Sequence, residues 1–192
     1  MVPEMSDRPY HHGNLPREVL DNALSLTEEF GPTGWSLRRL ARRAGVSHTA
    51  VAHHFGDKTG VLTALATEGF RMQTERLAAV YEGTGNFLEM GVAYVRFAVE
   101  HSAHFTVMYR PELHHRDEPD LVAAKKEASA VLYPPASLAA GMGRADRTPG
   151  LAAWSLVHGL ATLWLNDALP PDLGNDVDDV TRSIARHLFI RV

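Results

Sequence analysis

Four arginines stand close together at Arg38, Arg39, Arg42 and Arg43, with Lys58 following them. Guanidinium groups keep their charge at any physiological pH and offer a planar fork of donors suited to phosphate and carboxylate oxygens. Against these five cations residues 36–58 set a single acid, Asp57, so the segment carries a net charge of +4. The whole 192-residue chain carries −4, which leaves −8 for the remainder. A basic island in an acidic chain is the electrostatic footprint of a polyanion-binding surface, where a few cations that release counterions can dominate affinity.

Other chemistry is sparse. The chain has no cysteine, which excludes disulfides, thiolate zinc sites and a cysteine nucleophile and fits a reducing compartment. There is no Gly-x-Ser-x-Gly elbow, no phosphate-cradling glycine loop and no His-Glu-x-x-His pair. Glu112 and His115 form one Glu-x-x-His, where a di-iron bundle needs two such pairs and two further glutamates. His114 and His115 with Asp117 and Glu118 read as a solvated, histidine-rich loop, and His101 with His104 lacks a third ligand. The reading is therefore no catalytic residue, no metal and no cofactor.

The elements that must carry the basic island are helical. Leu15, Val19, Ala23, Leu26 and Phe30 recur at helical spacing, with Asn14 as cap, Pro16 in the first turn and Gly31-Pro32 as stop. Ser36 opens a short helix that ends at Gly45, and Ser47 opens another that reaches about His54. Asp57 caps a helix over about 57–80, and Gly83-Thr84-Gly85 breaks the chain. Phe87 to Glu100 is apolar on two faces and should be central. His101 to Arg110 is short and cut by Pro111. Asp117 to Leu132 should break or kink at Pro134-Pro135. Thr148 caps a helix to about Ala168, free of charged residues from Thr148 to Asn166, which contains Pro149, Gly150, His158 and Asn166 and so reads as a buried helix rather than a membrane span. Asp176 to Ile190 closes the chain, acids first and arginines last, as the helix dipole prefers. The fold class is all-α, about nine helices and no sheet. Residues 1–12 are expected to be flexible, without a secretory h-region.

Two short helices joined by Ala44-Gly45-Val46-Ser47 carry the arginines, and this is helix-turn-helix grammar. Gly45 suits a left-handed turn, Val46 plugs the angle, and Leu37, Leu40, Ala41, Val51 and Phe55 pack the pair. The run from Trp35 to Leu62 resembles the DNA-binding domain of TetR-family transcriptional regulators. The matching elements are Ser36, Leu40-Ala41, Ala44-Gly45-Val46-Ser47, His54-Phe55 and Lys58 ahead of Val61-Leu62. The resemblance implies phosphate or positioning contacts from Ser36, Arg38, Ser47, His53 and Lys58, and base contacts from His48, Thr49 and Ala50. Arg42, Arg43 and His54 join the candidate DNA-binding residues. Ala52 stands where the family usually has a tyrosine that touches phosphate, which implies one contact fewer.

The resemblance also implies a DNA-binding domain over 1–60 and a helical ligand-binding and dimerisation domain over 61–192, linked by the helix at 57–80. Trp154, His158 and Gly159 are similar to the Trp-x-x-x-His-Gly signature of one C-terminal subtype. Candidate ligand-binding residues are Tyr94, Phe97, Phe105, Met108, Trp154, His158 and Trp164; for the aromatics and Met108 the competing reading is plain core, and for His158 a structural hydrogen bond. A helix apolar all round needs cover on all sides. The last two helices (about 150–168 and 176–190) should therefore pair with a second copy. The implied function is a cytoplasmic, homodimeric repressor that binds a double-stranded DNA operator and is released by a small-molecule effector. The alternative is a helical small-molecule-binding or enzymatic protein whose DNA-binding half is vestigial.

Overall fold

The computed structural model describes residues 15–142 and 146–189, and among these every regular element is a helix. The expected flexible segment 1–12 and the Asn14 cap lie outside the described residues. Helix α1 (Leu15–Phe30) turns Val19, Ala23 and Leu26 inward. It ends where Gly31 takes φ +69°, bringing its N–H to 2.9 Å from Thr27 O. Helices α2 (Leu37–Arg43) and α3 (His48–Phe55) each start at a serine whose Oγ accepts a backbone N–H, Ser36 from Arg39 and Ser47 from Ala50. The turn between them needs φ +68° at Gly45, a conformation a side chain would strain. Leu40, Ala41 and Val51 are buried, and Leu37, Val46 and Phe55 pack against them, so Val46 does fill the angle between the helices.

Helix α4 (Lys58–Thr84) begins at Asp57, whose carboxylate accepts the Gly60 N–H at 2.8 Å, and ends at Gly85. Its 27 residues span roughly 40 Å at 1.5 Å per residue. It therefore carries the chain from the end of α3 into the C-terminal half, where Val80 and Tyr81 pack. Helix α5 (Phe87–Glu100) is central as expected, packed against α4, α6 (Ser102–Met108), α8 (Thr148–Leu165) and α9 (Val177–Ala185). Helix α7 (Pro119–Ala139) lies along α4 and α8.

Two buried clusters hold these elements. One joins α1–α3 to the first half of α4 and continues through Phe97, Val107, Met108, Leu121 and Ala124. The other gathers Leu77, Met90, Tyr94, Phe105, Val157, Leu160 and Val180 around α5 and α8. The first cluster crosses residue 60, so α1–α3 do not sit on a separate core.

Four local expectations need correction. The helix expected to break or kink at Pro134-Pro135 does not break there: it runs through both prolines to Ala139. Each proline forfeits one N–H bond, but the following turn is anchored: Ala136 and Ser137 are buried, Ser137 Oγ donates to Tyr133 O at 3.0 Å, and Ala140 N–H reaches Ala136 O at 3.0 Å. Thr148 is inside α8, and its backbone N–H is accepted by the side chain of Asp146 at 2.8 Å. The last helix stops at Ala185 and tightens into a 3-10 turn over Arg186–Phe189. His114, expected in a solvated loop, is buried, and its Nε2–H donates to Val107 O at 2.7 Å.

Candidate functional site

The basic island resolves into two pairs. Arg39 and Arg43 lie one helical turn apart and both turn back to α1: the Arg39 guanidinium stacks 3.8 Å from the Phe30 ring centroid, and Arg43 pairs with Glu29 at 2.5 Å. Arg38 and Arg42, also one turn apart, are exposed and have no acidic partner among the described residues. One pair fastens α2 to α1; the other presents two free guanidinium groups to solvent. Phosphate is the natural partner for the second pair.

On α3 the residues expected to read DNA are on the surface. His48, Thr49, His53 and His54 are exposed, Ala50 and Ala52 are half-buried, and Val51 points into the core. His53 and His54 meet edge to face at 5.4 Å. Ser36 and Ser47 are exposed. Their oxygens are engaged as caps, which leaves each hydroxyl proton free to donate to a phosphate oxygen. Lys58 is placed differently from a free surface cation. Its Nζ donates to Trp35 O at 2.6 Å and sits 4.4 Å over the Trp35 ring, and burial pulls its pKa down. Trp35 in turn donates from Nε1 to Thr27 at 3.1 Å, so Lys58 ties the start of α4 to α1.

Roughly 20–30 Å along the helix from Lys58, at 1.5 Å per residue, α4 lines a cavity of about 300 Å³. Phe70, Gln73, Thr74 and Leu77 form its α4 wall, Lys125, Ala128, Ser129, Leu132 and Tyr133 its α7 wall, and Tyr94, Met108, Tyr109 and Trp154 close it. Of the residues proposed from sequence for ligand binding, Tyr94, Met108 and Trp154 line this cavity. Phe105 and His158 line a second, more polar cleft that also touches Thr27 and Glu28 of α1. Phe97 is buried in the cluster that reaches α1, with its ring 4.9 Å from His101, and lines neither space. Trp164 packs half-buried against the α5–α8 cluster. Gln73, Tyr109 and Lys125 were not foreseen. Gln73 had one faint signal, a polar residue on the face of α4 that also carries Phe70 and Leu77.

Trp154 and His158, one turn apart on α8, clamp a single atom. Trp154 Nε1–H donates to the Tyr94 hydroxyl at 3.0 Å. That hydroxyl lies 2.9 Å from His158 Nδ1. Indole can only donate, so Trp154 fills one lone pair of the oxygen, and His158 Nδ1 is its second partner. Burial lowers the His158 pKa, which favours the neutral ring, and burial raises that of Tyr94. The Trp-x-x-x-His spacing thus has a physical purpose: it places two polar groups on one buried oxygen of α5.

A second polar junction links α1 to the C-terminal half. Glu68 of α4 meets His104 of α6 at 3.0 Å and Arg17 of α1 at 2.6 Å. The His104 bond above all, with help from Arg17, outweighs burial and holds the Glu68 carboxyl at about 2. Next to it, α6 touches α4 so closely that a Cβ on Gly69 would meet Met108 Sδ at 2.6 Å. Met108 also lines the cavity, so the cavity wall and the α1 junction share one short helix.

Helix α8 is only partly covered. Leu151 is 50% exposed and Leu163 46%, and Ser155 and Gly159 lie between them on the same face. Among the described residues no helix is long and apolar enough to cross a membrane, and no cluster of three or more histidine or acidic residues is arranged to hold a metal.

An exposed, capped helix-turn-helix with two unpaired arginines, joined by one long helix to a helical body that holds a cavity, is the architecture of DNA-binding regulators. Family comparison gives the same class. Residues 19–65 match the bacterial regulatory proteins of the tetR family, and residues 87–188 match the tetracyclin repressor-like C-terminal domain. The chain belongs to the TetR family. A helix-turn-helix-type transcriptional repressor of Mycobacterium tuberculosis is 41% identical over 84 residues, 44% of this chain and 42% of that protein. The repressor AcnR of Corynebacterium glutamicum is 38% identical over 72 residues, 38% of this chain and 36% of that one. The chain thus matches well under half the length of these curated relatives. Among solved structures, a protein of unknown function from Rhodococcus sp. RHA1 is 33% identical with a TM-score of 0.77, covering 95% of this chain and 97% of its own. The TetR-family regulator PfmR from Thermus thermophilus shares the fold at 21% identity and a TM-score of 0.60, covering 89% of this chain and 96% of its own.

Proposed function

We propose that the protein is a homodimeric transcriptional repressor whose α3 helices enter the major groove of an operator and which a small molecule in the α4–α7 cavity releases. The observation that carries this reading is the pair Arg38 and Arg42, exposed and unpaired beside an exposed α3. In it His48, Thr49 and Ala50 face bases, while Arg38, Arg42, Ser36, Ser47 and His53 hold phosphates. Arg43 and Lys58 contribute charge from positions already tied to the protein, and His54 lies at the edge of the surface.

The exposed face of α8 supports the dimer. Leu151, Ser155, Gly159 and Leu163 follow one another down one side, and a Cβ at Gly159 would meet nothing within 4 Å. Two copies pairing through α8 and α9 would bury the leucines in a four-helix bundle and set the α3 helices about one DNA turn, ~34 Å, apart. The repressor acts where the chromosome is, in the cytoplasm.

Release follows from shared walls. A ligand between α4 and α7 presses on Met108, hence on α6, and α6 carries His104 of the junction with Arg17 of α1. The ligand must bind the DNA-incompetent arrangement more tightly, or nothing shifts. Gel-shift titration against genomic fragments at two salt concentrations tests the proposal. Specific complexes with a steep salt dependence are expected; uniform binding to all fragments would overturn it in favour of a vestigial DNA-binding half.

A further inference from the structure

The cavity has a chemical bias that narrows its ligand. Most of its lining is carbon: Phe70, Leu77, Met108, Leu132, Tyr133 and Trp154 dominate. It contains no aspartate or glutamate, and its one charged residue is Lys125. The Lys125 ammonium sits 5.7 Å over the Phe70 ring and has no carboxylate partner among the described residues. Burial lowers its pKa, so the charged form lacks compensation there. Gln73 is a second unfinished group. Its Oε1 accepts the Tyr109 hydroxyl at 2.9 Å, while its buried Nε2 has no partner. Three other polar side chains of the lining are occupied. Thr74 donates to Phe70 O, Ser129 donates to Lys125 O, and the Tyr94 hydroxyl is held by Trp154 and His158.

Both unfinished donors line the same cavity. Phe70, which carries the Lys125 ammonium over its ring, and Gln73 are three residues apart on α4 and so share a face, ~4.5 Å apart along the axis. A carboxylate has two acceptor oxygens and one negative charge, which is what this pair lacks. At about 300 Å³ the cavity is about twice the ~150 Å³ void that takes benzene. That fits an apolar body of roughly a dozen non-hydrogen atoms.

We propose that the cavity binds an apolar monocarboxylate, of medium-chain or single-ring aromatic type, with its carboxylate on Lys125 and Gln73 and its body against Phe70, Leu77, Leu132 and Trp154. This rests on the reading of the cavity as the effector site and adds the class of effector. An amine of the same shape would face Lys125 with like charge and find no acid. A neutral alcohol would fit the walls and forgo the ion pair.

Calorimetric titration of the full-length protein without DNA tests the class, with octanoate, 4-phenylbutyrate, 1-octanol and octylamine as probes. The two acids should bind about tenfold tighter than the alcohol, the gain from one half-buried charge pair, and the amine should bind weakest. Lys125→Met should abolish the preference for octanoate over octanol, while Lys125→Arg should keep it. The proposal is overturned if octanol or octylamine matches the acids, if no acid binds, or if the preference survives Lys125→Met. Operator release is measured separately with the same compounds. Acids that bind with this pattern and leave DNA bound uphold the ligand class and overturn the release mechanism. Release by other compounds, with no acid binding, overturns the class and leaves the mechanism standing.

Discussion

Replacing Arg38 by alanine should change how DNA binding responds to salt, and replacing Arg43 should not do so to the same degree. Arg38 is exposed and unpaired, so its guanidinium is available to neutralise a phosphate; Arg43 is already neutralised by Glu29 at 2.5 Å. Each phosphate neutralised adds about 0.9 to the slope of log K against log salt. A two-fold dimer carries the change twice, so Arg38→Ala should flatten the slope by ~1.8 and the Arg38→Ala, Arg42→Ala double variant by ~3.6. Over a fourfold rise in salt, from about 50 to about 200 mM, a difference of ~1.8 in slope is about tenfold in relative affinity. The penalty of Arg38→Ala should therefore shrink about tenfold across that range. Arg43→Ala should flatten the slope by less than half as much, because removing it frees Glu29 and ends an internal pair. Neither change should move the melting temperature much, since exposed ion pairs contribute little. Fluorescence anisotropy with one labelled duplex at five salt concentrations is sufficient. An unchanged slope for Arg38→Ala, or a larger effect from Arg43→Ala, would refute the division of the arginines into two roles.

Two further outcomes follow from the buried polar groups. Tyr94→Phe removes the oxygen shared by Trp154 and His158 and leaves both without that partner, at a cost of about 2 kcal/mol read as a lower urea midpoint; an unchanged midpoint would show that the clamp contributes nothing. Glu68 is depressed from 4.5 to about 2, so its ionised form stabilises the fold fully above about pH 4.5 and that contribution is lost as pH falls through about 2. The loss should be roughly 3 kcal/mol, and Glu68→Gln should be less stable at neutral pH and lose less on acidification, as followed by circular dichroism; parallel acid titrations of the two proteins would contradict the assignment.

The helix-turn-helix was legible in the sequence because its grammar is local. The caps at Ser36, Ser47 and Asp57 and the turn at Gly45 act within three or four residues, and all four occupy those roles. The roles of the arginines were not legible, because Phe30 and Glu29, which capture Arg39 and Arg43, belong to another helix. The cavity was legible only in part for the same reason. Tyr94, Met108 and Trp154 stood out as large apolar groups, whereas Gln73 and Lys125 matter through what they lack, and only packing reveals a missing partner. Phe97 was indistinguishable from its neighbours on α5 until α1 and α6 were in place. Pro134 and Pro135 do not end the helix because the packing of α7 on α4 and α8 outweighs two lost backbone bonds.

The claim on which the rest depends is that α3 of two identical subunits reads DNA. Selection of bound duplexes from a random library by the full-length protein tests it most directly. The account predicts an inverted repeat with half-site centres about one turn, ~10 base pairs, apart, and a Thr49→Ala variant that changes the preferred base within each half-site while Arg38→Ala weakens all sequences alike. Recovery of no shared sequence, or of a preference that Thr49→Ala leaves untouched together with every other exposed α3 substitution, would contradict it.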